Sequence, residues 1–193
     1  MARPREFDPE TALDRAMHVF WAKGYEATSL DDLCDATGLS RSSLYAAFGD
    51  KRDLLLQSID LYSDRGVARF LAALSTRPIR AGLRQILDGF IDQIVAGPGR
   101  KGCFLGNCAA ELERGDREAI GRVRRSLARN EAIFREALIA AKRRGELASS
   151  ADPTALARFL VSALQGLRLV GKANPDRAVL EDIAAGILRA ITG

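Results

Sequence analysis

A chain of 193 residues, 47% hydrophobic and 28% charged, has ordinary globular composition and enough length for one large core or two small ones. No apolar run approaches the ~18 residues of a membrane-spanning helix, the opening Met-Ala-Arg-Pro-Arg-Glu-Phe-Asp-Pro lacks the apolar stretch of a signal peptide, and Cys34, Cys103 and Cys108 are too irregularly spaced for a disulfide framework, so a cytoplasmic protein is expected. The net charge is +4, yet residues 1–53 hold seven cations against ten carboxylates, a net of −3, and the rest of the chain carries +7; bulk charge gives the N-terminal part no affinity for nucleic acid, and any such binding must come from a few cations on one face.

The pattern along the chain is helical throughout, with caps and breakers punctuating 3.6-residue periods and no strand-type alternation. Asp8-Pro9 opens a first helix whose apolar stripe is Leu13, Met17, Phe20 and Trp21, and Gly24 ends it. Ser29 with Asp32 reads as a capping-box variant opening a second helix. Gly38 breaks that one, Ser40 caps a third, and Gly49 stops it. Asp50 with Asp53 opens a fourth, from Lys51 past Phe70 toward Pro78. A fifth spans about 79–95, before the clearest loop signal of the chain, Gly97-Pro98-Gly99-Arg100-Lys101-Gly102. A sixth begins near Cys103 and breaks near Gly115, and a long arginine-rich seventh runs from Asp116 to about Arg144. Asp152-Pro153 opens an eighth, and Asn174-Pro175-Asp176 separates it from a ninth that ends near Ile191. The expected fold is therefore all-α, about nine helices, with a boundary inside the fourth: residues 1–53 as a small N-terminal domain and 54–193 as a larger bundle.

Within that small domain, residues 28–51 carry the most information. Two short helices joined at Gly38 are the sequence form of a helix-turn-helix, which lays its second helix in the DNA major groove. Leu30, Leu33, Leu39, Leu44 and Phe48 are spaced to face inward, with Cys34 expected in an inner slot where the helices meet closely, and Gly38 is placed for a positive φ. Arg41, Ser42, Ser43 and Tyr45 are expected on the outer face, where hydroxyls and a guanidinium suit phosphates and base edges. Thr28, Ser29, Thr37 and Ser40 are expected at helix starts, suited to phosphate oxygens. Lys51 adds a cation at the start of the fourth helix. The same pattern also describes two capped helices with no DNA role, so spacing alone leaves both options open.

Residues 20–55, with the Phe-x-x-Lys-Gly-Tyr run, the Thr-Ser opening, the Thr-Gly-Leu-Ser turn, Leu-Tyr-x-x-Phe and the Lys after it, resemble the N-terminal domain of the tetracycline-repressor (TetR) family. The resemblance implies an all-helical homodimeric regulator, usually a repressor released by a small ligand. It implies DNA contact by Thr28, Ser29, Thr37, Ser40, Arg41, Ser42, Ser43, Tyr45 and Lys51. Ala46 and Ala47 stand where many members carry bulkier residues, so no contact is carried over there. A second stretch, Gly102-Cys103-Phe104-Leu105-Gly106-Asn107-Cys108-Ala109-Ala110-Glu111-Leu112, is similar to the Gly-Cys-x-x-x-Asn-x-x-x-Glu-Leu pattern of one regulatory-domain subgroup.

The bundle then has to dimerise and to sense. The last two helices, near 153–171 and 176–191, are expected to form the dimer interface, through Leu156, Phe159, Leu160, Ala163, Leu167 and Val170 on one and Leu180, Ile183, Ala184, Ile187, Leu188 and Ile191 on the other; an intramolecular core explains any one of them as well. A symmetric dimer reads a palindromic operator with recognition helices ~34–36 Å apart. Tyr62, Phe70, Leu87, Phe90, Ile94, Cys103, Phe104, Asn107, Phe134, Leu138 and Leu164 are candidates to line a pocket for a hydrophobic or aromatic effector. Cys103 and Cys108, beside Arg100 and Lys101, raise the alternative of a thiol sensor for electrophiles. Arg122, Arg124, Arg125, Arg129, Arg135, Arg143 and Arg144 are expected on a solvated face, paired at helical spacing with Glu118, Glu131 and Glu136.

No enzyme is expected. His18 is the only histidine and is remote in sequence from Cys103 and Cys108, no Glu-x-x-His pair suggests a di-metal bundle, and His18 with the cysteines lacks zinc spacing. No catalytic residue, cofactor or metal is therefore assigned. A helical carrier of small molecules that ignores DNA is the alternative from another class.

Overall fold

The structure, a computed structural model, describes residues 7–112 and 116–193. Among these residues there is no strand. The helices are α1 (Pro9–Lys23), α2 (Leu30–Thr37), α3 (Arg41–Phe48), α4 (Lys51–Leu74), α5 (Ile79–Val95), α6 (Phe104–Leu112), α7 (Arg117–Arg143), α8 (Pro153–Ala173) and α9 (Arg177–Thr192). The expected break near Gly115 lies outside the described residues.

Each start has a local cause in the sequence. The Asp8 carboxylate accepts from the backbone N–H groups of Glu10 and Thr11, with Pro9 at the first helical position. Ser29 and Asp32 form a reciprocal capping box on α2. The Ser40 hydroxyl accepts from Ser43 N–H on α3. The Asp50 carboxylate accepts from Asp53 N–H (2.8 Å) while the Asp53 carboxylate accepts from Asp50 N–H (3.2 Å), the same device on α4. Asp152 and Asp176 cap α8 and α9. Gly38 ends α2 in the left-handed region (φ 74°, ψ 16°), a conformation glycine adopts without steric cost.

The chain folds into two compact units, Met1–Asp64 with Asn107–Arg124, and Arg65–Gly106 with Arg125–Gly193. The helices α4, α6 and α7 contribute residues to both. In the first unit α1, α2 and α3 pack around Phe20, Leu33, Leu44 and Phe48, and the start of α4 adds Leu54, Leu55 and Ile59. In the second, Leu83, Leu87 and Ile91 of α5 lie in one core with Phe134 and Leu138 of α7, Leu160, Leu164 and Leu167 of α8 and Leu180, Ile187 and Leu188 of α9.

Three expectations change. The 97–102 segment is not an open loop: Pro98–Lys101 make one 3-10 turn, and Gly99 is buried so tightly that a Cβ there would sit 2.7 Å from the Ile94 nitrogen. Cys34 is half-buried and not enclosed. Most of the apolar face expected at a dimer interface lies inside the chain's own core: Leu160, Leu167, Leu180, Ala184, Ile187, Leu188 and Ile191 all belong to it.

Candidate nucleic-acid interface

The helix α3 divides its residues cleanly. Leu44 and Phe48 point into the first unit's core, while Arg41, Ser42 and Tyr45 are exposed and Ser43 is half-buried. Tyr45 is 43% exposed on this eight-residue helix, so its ring and hydroxyl are within reach of a partner. The Ser40 hydroxyl lies 3.0 Å from that of Ser42 and 2.9 Å from that of Ser43, so three hydroxyls gather at the N-terminus of α3. Exposed backbone N–H groups and hydroxyls together favour phosphate oxygens there.

The cations near this face are held by partners. The Arg41 guanidinium donates to Asp31 Oδ1 at 2.6 Å, with both side chains mostly exposed, and this bond raises its pKa further. Lys23 pairs with Asp32 at 2.5 Å, and that hydrogen bond, with those from Ser29, lowers the Asp32 carboxyl to about 2. Lys51 lies over the ring of Tyr25, 4.4 Å from its centroid, at the first position of α4. Many carboxylates behind the negative count of this unit are thus capping groups or ion-pair partners: Asp8, Asp31, Asp32, Asp50 and Asp53 all have such duties.

Ser29 and Ser40 are exposed caps at helix starts, as the sequence suggests. Thr28 and Thr37 are placed differently. Thr28 is 1% exposed and its hydroxyl donates to the Gly24 carbonyl. Thr37 is the last residue of α2, not the first of a helix, and is 7% exposed; its hydroxyl donates to the Leu33 carbonyl at 2.7 Å and accepts from Leu39 N–H at 3.3 Å. Both threonines staple the backbone of the helix-turn-helix.

The Glu111 contribution is not evident in the sequence. Its carboxylate accepts from the backbone N–H groups of Tyr25 (3.0 Å) and Glu26 (2.8 Å), in the turn between α1 and α2. Gly24 has φ 84°, a backbone conformation that suits glycine, and a Cβ there would sit 2.8 Å from that carboxylate and displace it. The glutamate of the Gly-Cys-x-x-x-Asn-x-x-x-Glu-Leu stretch thus braces the turn leading to Thr28 and Ser29. Nearby, Arg52 binds Asp116 at 2.5 Å and Glu118 at 2.9 Å, and Arg122 binds Glu118 at 3.2 Å and also pairs with Asp60. The Arg52 hydrogen bond holds the Asp116 carboxyl at about 2. The Glu118–Arg122 pair has the expected helical spacing, whereas Glu131 pairs with Arg158 of α8 at 3.0 Å and Glu136 with its neighbour Arg135 at 3.3 Å.

The effector candidates separate. Tyr62 belongs to the first unit, edge-on to Trp21 at 5.2 Å, and Asn107 belongs there too. Cys103 and Phe104 are buried in the second unit, and Leu87, Ile94, Phe134, Leu138 and Leu164 lie in its core. Phe70 and Phe90 line a cleft of about 240 Å³ between α4 and α5.

Two family descriptions match this chain: residues 12–57 match "Bacterial regulatory proteins, tetR family", and residues 80–187 match "Tetracyclin repressor-like, C-terminal domain". The chain belongs to the tetR family of bacterial regulatory proteins. Among its relatives, the HTH-type transcriptional repressor ComR of Escherichia coli K12 is 32% identical over 97% of this chain and 90% of ComR. The HTH-type transcriptional regulator YezE of Bacillus subtilis 168 is 33% identical over 94% and 95%. A solved structure of a cysteine mutant of the TetR family regulator CifR, complexed with 26-base-pair double-strand operator DNA, superposes with a TM-score of 0.84 at 31% identity, covering 98% of this chain and 100% of that one. The TetR fold is thus the fold of this chain, with the helix-turn-helix at residues 30–48. No helix among the described residues is long and apolar enough to cross a membrane.

Proposed function

We propose that this TetR family regulator is a repressor that binds a palindromic operator as a homodimer in the cytoplasm and lets go when a small hydrophobic or aromatic molecule binds its C-terminal part. The observation that carries the DNA reading is α3: an exposed arginine, hydroxyls and tyrosine on a short helix whose other side is fully packed. Ser29, Ser40, Arg41, Ser42, Ser43, Tyr45 and Lys51 are the side chains that meet DNA. Thr28 and Thr37 hold the loop geometry and offer at most their backbone. The relatives support repression, since ComR is a repressor by name and CifR is seen on operator DNA. The helix-turn-helix reads DNA, with Glu111 bracing the turn that leads into it, and the 65–106 and 125–193 unit senses and dimerises.

Dimerisation has a specific surface. Phe159, Ala163, Gly166 and Val170 recur at the four-and-three spacing of one helix stripe on α8, and Phe159 is 44% and Val170 38% exposed, beside Leu169 at 69%. Val179, Ile183, Gly186 and Ala190 make a similar stripe on α9. A second copy covers both. The thiol alternative gains nothing, since Cys103 and Cys108 are 6% and 4% exposed.

The test is fluorescence anisotropy with labelled duplexes from the DNA flanking its gene, repeated across salt concentrations. Specific binding with a steep salt slope is expected. Arg41→Ala and Tyr45→Phe each weaken it at least tenfold while circular dichroism stays unchanged. Unaltered site preference in both variants overturns the assignment of α3 as the reading helix.

A further inference from the structure

A buried acceptor without a donor lies on α7. The side-chain oxygen of Asn130, Oδ1, is buried and has no hydrogen-bond partner among the described residues, although a buried carbonyl is ordinarily satisfied by a donor. Asn130 lies one turn before Phe134, which is 1% exposed and whose ring centroid is 4.9 Å from that of Phe70 on α4. Arg122, two turns before Asn130, pairs with Asp60 of α4, whereas Glu131 pairs with Arg158 of α8. At about 100° per residue, Asn130 falls between Phe134 and Arg122 on the surface of α7 and away from Glu131. Its carboxamide therefore borders the core on the side of α4.

The residue at the same level of α4 is a glycine. Gly66 lies one turn before Phe70, as Asn130 lies one turn before Phe134, and the two helices run in the same direction, since Asp60 precedes Phe70 as Arg122 precedes Phe134. Both residues thus border the space one turn below the contact of the two rings. Gly66 is buried, yet a Cβ built on it would meet nothing within 4 Å. The open space beside Gly89 and Gly166 has a plain cause, because the first is half-buried and the second exposed, and solvent lies over them. A buried glycine with nothing beside it faces an internal void. One wall of that void is aromatic and another holds the unsatisfied oxygen.

Resting on the reading of this protein as an effector-responsive regulator, we propose that the void between Gly66 and Asn130 takes a small phenol, its ring against Phe70 and Phe134 and its hydroxyl donating to Asn130 Oδ1. A hydroxyl supplies the missing donor without a charge, so it avoids the desolvation cost that an ammonium would carry into the core. A carboxylate would bring a second acceptor to an oxygen that needs a donor. The Phe70 and Phe134 planes are tilted by 47°, and Phe90 meets Phe70 edge-on at 6.3 Å; a further ring extends this arrangement in the same geometry.

Isothermal titration of phenol into the full-length protein tests the site without DNA, so its outcome does not depend on the regulator reading. Toluene is the probe without a donor and benzoate the charged one. Phenol is expected to saturate one site per chain, with toluene and benzoate each at least tenfold weaker. Asn130→Leu raises the phenol Kd at least tenfold and leaves that of toluene within about threefold. Gly66→Leu fills the void and removes binding of both, while Gly66→Ala, whose added methyl meets no atom, melts no lower than the parent. Asn130→Leu carries the test by itself where Gly66→Leu fails to fold. Absence of phenol binding, which leaves the void to water, overturns the site, and so does phenol binding unchanged in Asn130→Leu. Operator affinity with and without saturating phenol is the separate arm: binding that follows the variants as stated but leaves operator affinity unchanged keeps the site and overturns its role as effector.

Discussion

At the scale of single residues, a side chain proposed to meet DNA already has a partner within the chain. Arg41 is tied to Asp31, one exposed residue to another, and an exposed pair of this kind is worth only ~0–1 kcal/mol. On the proposed reading of α3, DNA must break it, and a bound phosphate must also tolerate Asp31. Asp31→Asn removes both penalties, so its affinity for duplex DNA is expected to rise about three- to tenfold, most at low salt, where exposed charges are least screened. Anisotropy titrations at two ionic strengths check it; equal or lower affinity at both means that Asp31 aids binding by orienting the guanidinium. The contrast between Ser29 or Ser40 and Thr28 or Thr37 belongs to the same scale. All four are hydroxyls beside a helix-turn-helix, and their spacing cannot say which ones water reaches. Burial separates them, at 1% for Thr28 and 7% for Thr37. Thr37→Val, which keeps the shape and loses the hydroxyl between Leu33 and Leu39, is expected to lower stability by about 1–2 kcal/mol, read as a lowered urea midpoint.

At the scale of elements, helix starts were legible and helix faces were not. Asp8-Pro9, Ser29 with Asp32, Ser40, Asp50 with Asp53 and Asp152-Pro153 each satisfy backbone N–H groups within three residues, so the signal and its cause lie together in the sequence. Faces depend on what lies opposite. Periodicity marks α8 as apolar on a broad arc, but Leu160 and Leu167 are covered by their own chain whereas Phe159 and Val170 are not, and nothing in the spacing separates them. The glutamate of the α6 motif is a stronger case: its partners, Tyr25 and Glu26, lie more than eighty residues away. Because Glu111 supplies the acceptor for two backbone N–H groups in the α1–α2 turn, Glu111→Ala should loosen that turn. Operator affinity is expected to fall about tenfold, with hydrogen exchange at Tyr25 and Glu26 accelerated and helicity retained. Glu111→Gln keeps an acceptor oxygen and should recover part of the loss; an alanine variant with unchanged exchange at both amides removes Glu111 from this role.

At the scale of the whole molecule, acid and assembly set the working limits. Asp32 and Asp116 titrate near 2 in the folded chain because Lys23 and Arg52 hold them ionised. Their unfolded values lie near 3.9, so folding is favoured by these groups above that pH, and the contribution is lost as pH falls from about 4 toward 2. Melting temperature should therefore drop through this window, and Arg52→Met should flatten the drop. Assembly is the sharper test. One helix-turn-helix has only a few cations with which to hold DNA, against an unfavourable bulk charge of −3 over residues 1–53. Two units joined in one particle convert the second contact into an intramolecular event, which raises affinity by ~10²–10⁴ when the geometry allows both to engage. The exposed α8 stripe is where that join is proposed to form. Phe159→Glu places a charge at its edge, 44% exposed in the single chain, so the fold should survive while the second copy is repelled. Sedimentation is expected to give a monomer at micromolar concentration with native circular dichroism, and operator affinity should fall at least a hundredfold while nonspecific binding changes little. A Phe159→Glu protein that still sediments as a dimer moves the interface away from this stripe; a monomeric variant that binds its operator as tightly as the parent means that a single helix-turn-helix suffices, and the palindrome is then unnecessary.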